Sequence, residues 1–305
     1  MAHLEGVPFH WRKLKQIRVS CPLCGADSSH SEVYERYGDE LQYSLARCTK
    51  CRMIFQNPRY EWNDEFLKWA YSWYGDNFIQ LSSPFERQAL VAGSEGYFAF
   101  KKKIIERYCQ ARPYRLLDVG CACGQFLSFC HGKDCVATGV EASERQVEFI
   151  RKNLDFEAIY GITTNMLPKY KGAFDVTHIA HTLEHVPEPL ETIRELTELT
   201  APNGLIFIEV PNVKSLQNYR NHLFSKYGLR KNKWQPHDFP EHLVEFSPKT
   251  LRRLVERAGL EIVHFETHSK KTLDRKNPLA VPLDRFLNRF VPVSNNMICV
   301  ARKPA

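Results

Sequence analysis

Several features are missing from these 305 residues, and each absence narrows the field. No apolar run approaches the length of a membrane span, which argues against a membrane partner. The N-terminus lacks the apolar core that marks an export signal, so the expected location is cytoplasmic. Charge is not gathered into long blocks. The net charge of +7 is spread along the chain and suits an ordinary solvated surface or an acidic partner, such as a phosphorylated small molecule or RNA. With no export signal, the 10 cysteines read as metal ligands and buried thiols, not as disulfides. The length allows one large domain plus a smaller one, and 43% hydrophobic content suits a globular chain.

What is present centres on one stretch, Arg115 to Leu127. Leu116 to Val119 is an apolar run of buried-strand type that includes Asp118. Gly120 and Gly124 bracket small residues, among them Cys121, and permit a tight turn whose backbone approaches a ligand closely. A helix beginning near Gly124 would aim its free N–H groups at that ligand. Val136 to Val140 is the next strand, and Glu141 at its end stands where a ribose diol is gripped, about 20 residues after the first turn glycine. The alternative for Glu141 is a surface residue capping the helix that starts at Ser143, where Ser143 and Gln146 fit a capping box.

Further motifs follow in order: Phe174 to Pro187, then Pro202 to Asn212. From about Tyr97 to the C-terminus, this series resembles the class I S-adenosylmethionine-dependent methyltransferases. The resemblance implies an α/β fold: a Rossmann-like seven-stranded sheet with an antiparallel last strand. It implies S-adenosylmethionine as cofactor, with Asp118, Gly120, Cys121 and Gly124 around its methionine part and Glu141 on its ribose. Ile162 and Thr163 would lie against the adenine, and His181 would be a further cofactor contact. In one respect the chain departs from the family, which usually has a third glycine where Ala122 stands.

Ahead of this domain, Cys21-Pro22-Leu23-Cys24 and Cys48-Thr49-Lys50-Cys51 are two C-x-x-C pairs. Facing each other, they match a four-thiolate zinc site, and a site filled by protein on all sides is structural. Glu32 to Arg36 and Leu41 to Arg47 alternate like hairpin strands, with Gly38-Asp39 at the turn. A zinc knuckle in front of the catalytic domain resembles a subset of the family that includes sugar C-methyltransferases. The division expected is a zinc-binding module over 1–60, an aromatic helical linker or lid over 61–96, and the methyltransferase domain over 97–305. In the linker, Trp62, Phe66, Trp69 and Trp73 recur at helical spacing, and Tyr71 and Tyr74 are candidates to face substrate.

The loop His181 to Pro187 leaves the end of the fourth strand, where open α/β sheets bind ligands, so Glu184 and His185 belong near the transferred methyl. A basic and aromatic insertion, 211–246, ends in Glu241 and His242, just before a helix capped by Ser247 and begun by Pro248. Imidazole suits proton removal near neutral pH. His242 ranks first as general base, with His185, Glu241 and Tyr71 as further catalytic candidates. The chain lacks the Asp/Asn-Pro-Pro-aromatic sequence of exocyclic-amine enzymes and the Pro-Cys nucleophile of cytosine C5 enzymes. Both absences favour a small-molecule substrate, methylated at oxygen or carbon: a sugar, a nucleotide-sugar or a secondary metabolite. Two rival readings are an RNA methyltransferase that grips nucleic acid with the zinc module and insertion, and an inactive scaffold on a degenerate methyltransferase sheet. The sequence leaves the oligomeric state open.

Overall fold

The computed structural model describes residues 15–27, 31–37, 42–61, 90–227, 229, 242–270 and 294–305. Tyr71, Tyr74, Glu241, the aromatic run from Trp62 to Trp73 and the Gly38-Asp39 turn lie outside the described residues. Among the described residues no helix is long and apolar enough to cross a membrane.

The N-terminal part contains β1 (Gln16–Ile17), β2 (Ser31–Tyr37), β3 (Gln42–Cys48), β4 (Ile54–Gln56) and β5 (Arg59–Tyr60). The expected hairpin is there: β2 pairs antiparallel with β3 from Ser31↔Cys48 to Tyr37↔Gln42. The two C-x-x-C turns close on each other beside it. Cys21 Sγ lies 3.4 Å from Cys51 Sγ, and Cys24 Sγ 3.6 Å from Cys48 Sγ.

The larger part begins with α1 (Glu95–Tyr108). Its Tyr97, Phe98, Lys101, Ile104 and Ile105 are buried at steps of three and four, which presses one stripe onto the sheet. There follow β6 (Tyr114–Val119), α2 (Gln125–Cys130), β7 (Cys135–Glu141), α3 (Glu144–Asn153), β8 (Glu157–Tyr160) and α4 (Thr163–Tyr170). Then come β9 (Phe174–Ala180), a 3-10 turn at Leu183–His185, α5 (Pro189–Leu199), β10 (Thr200–Pro211) and α6 (Leu216–Lys226). The chain ends with β11 (Val244–Glu245), α7 (Pro248–Arg257), β12 (Glu261–His268) and β13 (Asn296–Arg302). Seven strands form one sheet in the order β12-β13-β10-β9-β6-β7-β8. Its β6 to β10 are parallel, and β13 is antiparallel to both neighbours. The central strands are continuous apolar runs because helices cover both faces.

β10 starts at Thr200, paired with Phe174, and its register shifts before Leu205, so Pro202-Asn203-Gly204 falls inside its span. Asn203 takes the left-handed φ of +61° inside that irregularity. At the start of α3, Ser143 Oγ accepts the Gln146 amide at 3.4 Å, the first half of a capping box. Gln146 itself lines the central cavity.

The cysteine-bearing strands are not a separate bead. Their sheet runs β11-β4-β3-β2, so its edge is completed by two residues from far along the chain. Val244 pairs with Phe55 and Glu245 with Ile54. Cys21, Leu23, Met53 and Phe55 share one core with Leu117, Ile206, Leu251 and Met297.

Candidate active site

The turn after β6 has the geometry its glycines suggest. Gly120 has φ +70°, and an added Cβ would meet Thr182 Oγ1 at 2.3 Å, so no side chain fits. Ala122 also takes a positive φ, +50°. The family's glycine would be unstrained here, and alanine carries a cost of about 1–2 kcal/mol. Glu141 braces the turn: Oε2 accepts the Ala122 amide at 3.0 Å, and Oε1 accepts the Ser143 amide at 3.0 Å. Burial raises the Glu141 pKa, and these amides oppose the rise.

Not every motif residue faces the ligand side. Gly124 is left-handed (φ +78°), but the space its missing Cβ leaves is taken by Phe156, 2.8 Å away. It is absent from the cavity wall. Cys121 lines the cavity while its thiol fills the gap at Gly139, where an added Cβ would lie 2.5 Å from Sγ. The Thr163 hydroxyl donates to Glu195. Ile162, 48% exposed, is an apolar platform on the cavity wall. Asp118 Oδ1 is 2.6 Å from Nδ1 of the fully buried His178. Burial, aided by the Lys101 charge, lowers the pKa of His178, so it is neutral and donates.

These groups open onto one cavity of about 1070 Å³ at the C-terminal ends of the parallel strands. On its other side stand His181, His185 and His242. His181 sits between two buried carboxylates, with Nδ1 3.6 Å from Glu184 Oε1 and Nε2 3.4 Å from Glu209 Oε1. Burial opposes its charge, but the pull of the Glu184 and Glu209 carboxylates prevails and raises its pKa to about 10. It is therefore an imidazolium at neutral pH and cannot act as a base. Burial would raise the Glu184 pKa, yet the neighbouring His181 and His185 bring it down to about 2.

His242 is held on two sides. Its carbonyl accepts a hydrogen bond from Gln56 Nε2 at 2.7 Å, and Leu243 donates its amide to the Glu184 carbonyl at 2.8 Å. Nδ1 lies 3.3 Å from Glu245 Oε1, and the ring meets His185 edge-on at 4.8 Å. Donor atoms of Glu184, His185 and His242 all lie within 4.8 Å of one another, a spacing that could also hold a divalent cation.

Sequence reasoning missed a charged cluster under this site. Glu209 is fully buried at the end of β10. It takes the Tyr97 hydroxyl at 2.6 Å, with Lys101 Nζ at 3.3 Å and His268 Nε2 at 3.0 Å. Burial would raise its pKa, but the Lys101 charge and the two histidines hold it well below the usual range. A glutamate in an apolar strand and a lysine in an apolar helix stripe were the signals. At the cysteine cluster the four Sγ atoms lie within 4.8 Å of one another. A tetrahedral zinc thiolate has edges of about 3.8 Å, so the donors fit that ion.

A parallel sheet with one antiparallel strand, a glycine turn after its first strand and an acid after its second define a class I S-adenosylmethionine-dependent methyltransferase. Residues 94–265 match the family described as a methyltransferase domain. The match spans more than half of the chain, and the protein belongs to that family. One relative, the ubiquinone biosynthesis O-methyltransferase of Aromatoleum aromaticum, is 27% identical over 164 residues, 52% of this chain and 68% of that protein. Another, the demethylmenaquinone methyltransferase of Lactococcus lactis, is 24% identical over 216 residues, 63% of this chain and 83% of that protein. Among solved structures, a chain from the complex of the Haloferax volcanii Trm112 methyltransferase activator with a methyltransferase shares the fold. Its TM-score is 0.52 at 16% identity, over 80% of this chain and all of that one.

Two outcomes follow from this geometry. Gly120→Arg should abolish S-adenosylmethionine binding in titration calorimetry while the circular dichroism spectrum stays that of the wild type; unaltered affinity would remove the turn from the cofactor site. The His181 pKa is raised above its ordinary 6.5. Its contribution to stability is therefore full below that value and lost as pH rises through about 10. Melting temperature should fall across that alkaline range in the wild type and stay flat in His181→Asn; parallel curves would refute the ion pairing.

Proposed function

We propose that the enzyme transfers a methyl group to an oxygen or carbon nucleophile of a small molecule, with His242 as general base. One observation carries this reading: a single cavity joins Gly120, Glu141 and Ile162 to His185 and His242. The names of the relatives support a small-molecule acceptor over RNA.

S-adenosylmethionine supplies an electrophilic methyl on a sulfonium, which a nucleophile can take with no covalent enzyme intermediate. The backbone from Gly120 to Ala122 would seat its methionine part, the remaining lone pairs of Glu141 its ribose hydroxyls, and Ile162 its adenine. His181 is charged and takes no proton. Glu245 lies beside Nδ1 of His242, and Nε2 would take the proton of an acceptor hydroxyl or carbon acid. His185 packs edge-on against that ring and orders it.

Cys21, Cys24, Cys48 and Cys51 would hold a structural zinc, with all four positions filled by protein and none left for catalysis. We divide the chain into a zinc-binding module over 1–60, a linker over 61–96 and a methyltransferase domain over 97–305. Through Gln56 the zinc-bearing sheet grips the His242 backbone, so the metal would act on the site by holding that strand.

Incubated with methyl-labelled S-adenosylmethionine and a cell extract, the protein should place label in the small-metabolite fraction; label in RNA would overturn the reading. His242→Gln should lower kcat about 10²–10⁴-fold with cofactor affinity intact; an unchanged kcat would exclude it as base. Cys21→Ser should lose zinc and lower melting temperature together with activity. A metal-free variant as stable as the wild type would contradict a structural zinc.

A further inference from the structure

A second cavity of about 320 Å³ lies at the seam between the cysteine-bearing sheet and the catalytic domain. Its floor is one row across three strands. Arg47 on β3 pairs with Ile54 on β4, which pairs with Glu245 on β11, so the three side chains stand on one sheet face. Over that floor come Arg52 from the second C-x-x-C turn, Val213 and Lys214 from the loop after β10, and Lys249 from the first turn of α7. The Val213 amide bonds to the Phe246 carbonyl at 2.9 Å, which ties that loop to the start of the helix.

Four cationic side chains and one carboxylate line this wall. Burial lowers the Lys214 pKa, and the charges of Arg47 and Arg52 lower it further. The helix adds to this field. In α7 the Thr250 amide is capped by Ser247 Oγ, and residue 248 is proline with no N–H to give. The Lys249 amide stands at a position with no intrahelical partner, at the positive end of a 10-residue helix.

We propose that this seam binds the phosphate or diphosphate group of a small phosphorylated molecule. Guanidinium groups grip phosphate oxygens in pairs, lysines add point charge, and a helix N-terminus offers an amide. A bound phosphate relieves the repulsion among Arg47, Arg52 and Lys214. The volume suits a diphosphate, and the site is distinct from the turn that would seat the cofactor. Glu245 forms part of this wall and also faces His242 in the larger cavity. The two cavities are thus neighbours across one residue pair, and a phosphate here sits beside the reacting end of the molecule. The proposal does not depend on which acceptor atom is methylated.

The test uses the full-length, zinc-loaded protein and inorganic pyrophosphate as probe, titrated calorimetrically at fixed ionic strength. Saturable binding is expected. Arg52→Gly removes a guanidinium and suits the left-handed backbone at that position (φ +70°). Combined with Lys214→Ala, it should weaken pyrophosphate binding about 10–100-fold, since each charged hydrogen bond lost costs about tenfold. S-adenosylmethionine affinity and zinc content should not change. Lys249→Ala, remote from the metal ligands, should weaken binding in the same direction. No binding at millimolar pyrophosphate, or equal binding by wild type and variants, would overturn the assignment. So would tight binding of an oligonucleotide by a protein that ignores pyrophosphate, because the seam would then serve a polymer backbone.

Discussion

Four carboxylates are buried in and beside the active-site cavity, and the rest of the site follows from their need for partners. Asp118, Glu184, Glu209 and Glu245 are each 5% exposed or less. An isolated buried carboxylate would be prohibitively unstable in its charged form. Each therefore faces at least one imidazole: His178 for Asp118, His181 and His185 for Glu184, His181 and His268 for Glu209, and His242 for Glu245. Lys101 adds a full charge at Glu209. The histidines thereby acquire different duties. His178 is neutral and structural, His181 is a fixed cation, and His242 stands beside a carboxylate.

The local part of this design is legible in the sequence because it is encoded locally. Leu116 to Val119, the two turn glycines and Glu141 fall within one strand-turn-helix-strand unit. The Ser247-Pro248 start of α7 is written in adjacent residues. The two C-x-x-C pairs state their own chemistry. What could not be read is long-range. Gly120 and Gly124 share a left-handed φ, yet Gly120 lines the cavity with Thr182 packed against it, while Gly124 makes room for Phe156 away from the wall. The pattern of glycines is the same in either case. The bulge at the start of β10 depends on pairing Thr200 with Phe174, a choice made by the neighbouring strand. Lys101 and Glu209 each interrupt an apolar pattern, and they make sense once the helix and strand are brought together.

Strand β11 is two residues long, yet it belongs to a sheet whose other members lie near the N-terminus. Gln56 and His242, which bond across that join, are 186 residues apart in the chain. Such a contact is slow to form, because a long loop must close before any pairing rewards it. During synthesis the cysteine-bearing strands emerge first and the strand that finishes their sheet emerges near the end. Until then β4 presents an open edge, the kind of surface that invites pairing with another chain. A sheet whose other strands are made early in this chain is thus completed late. His242, the proposed base, reaches its position only when these two distant segments have met.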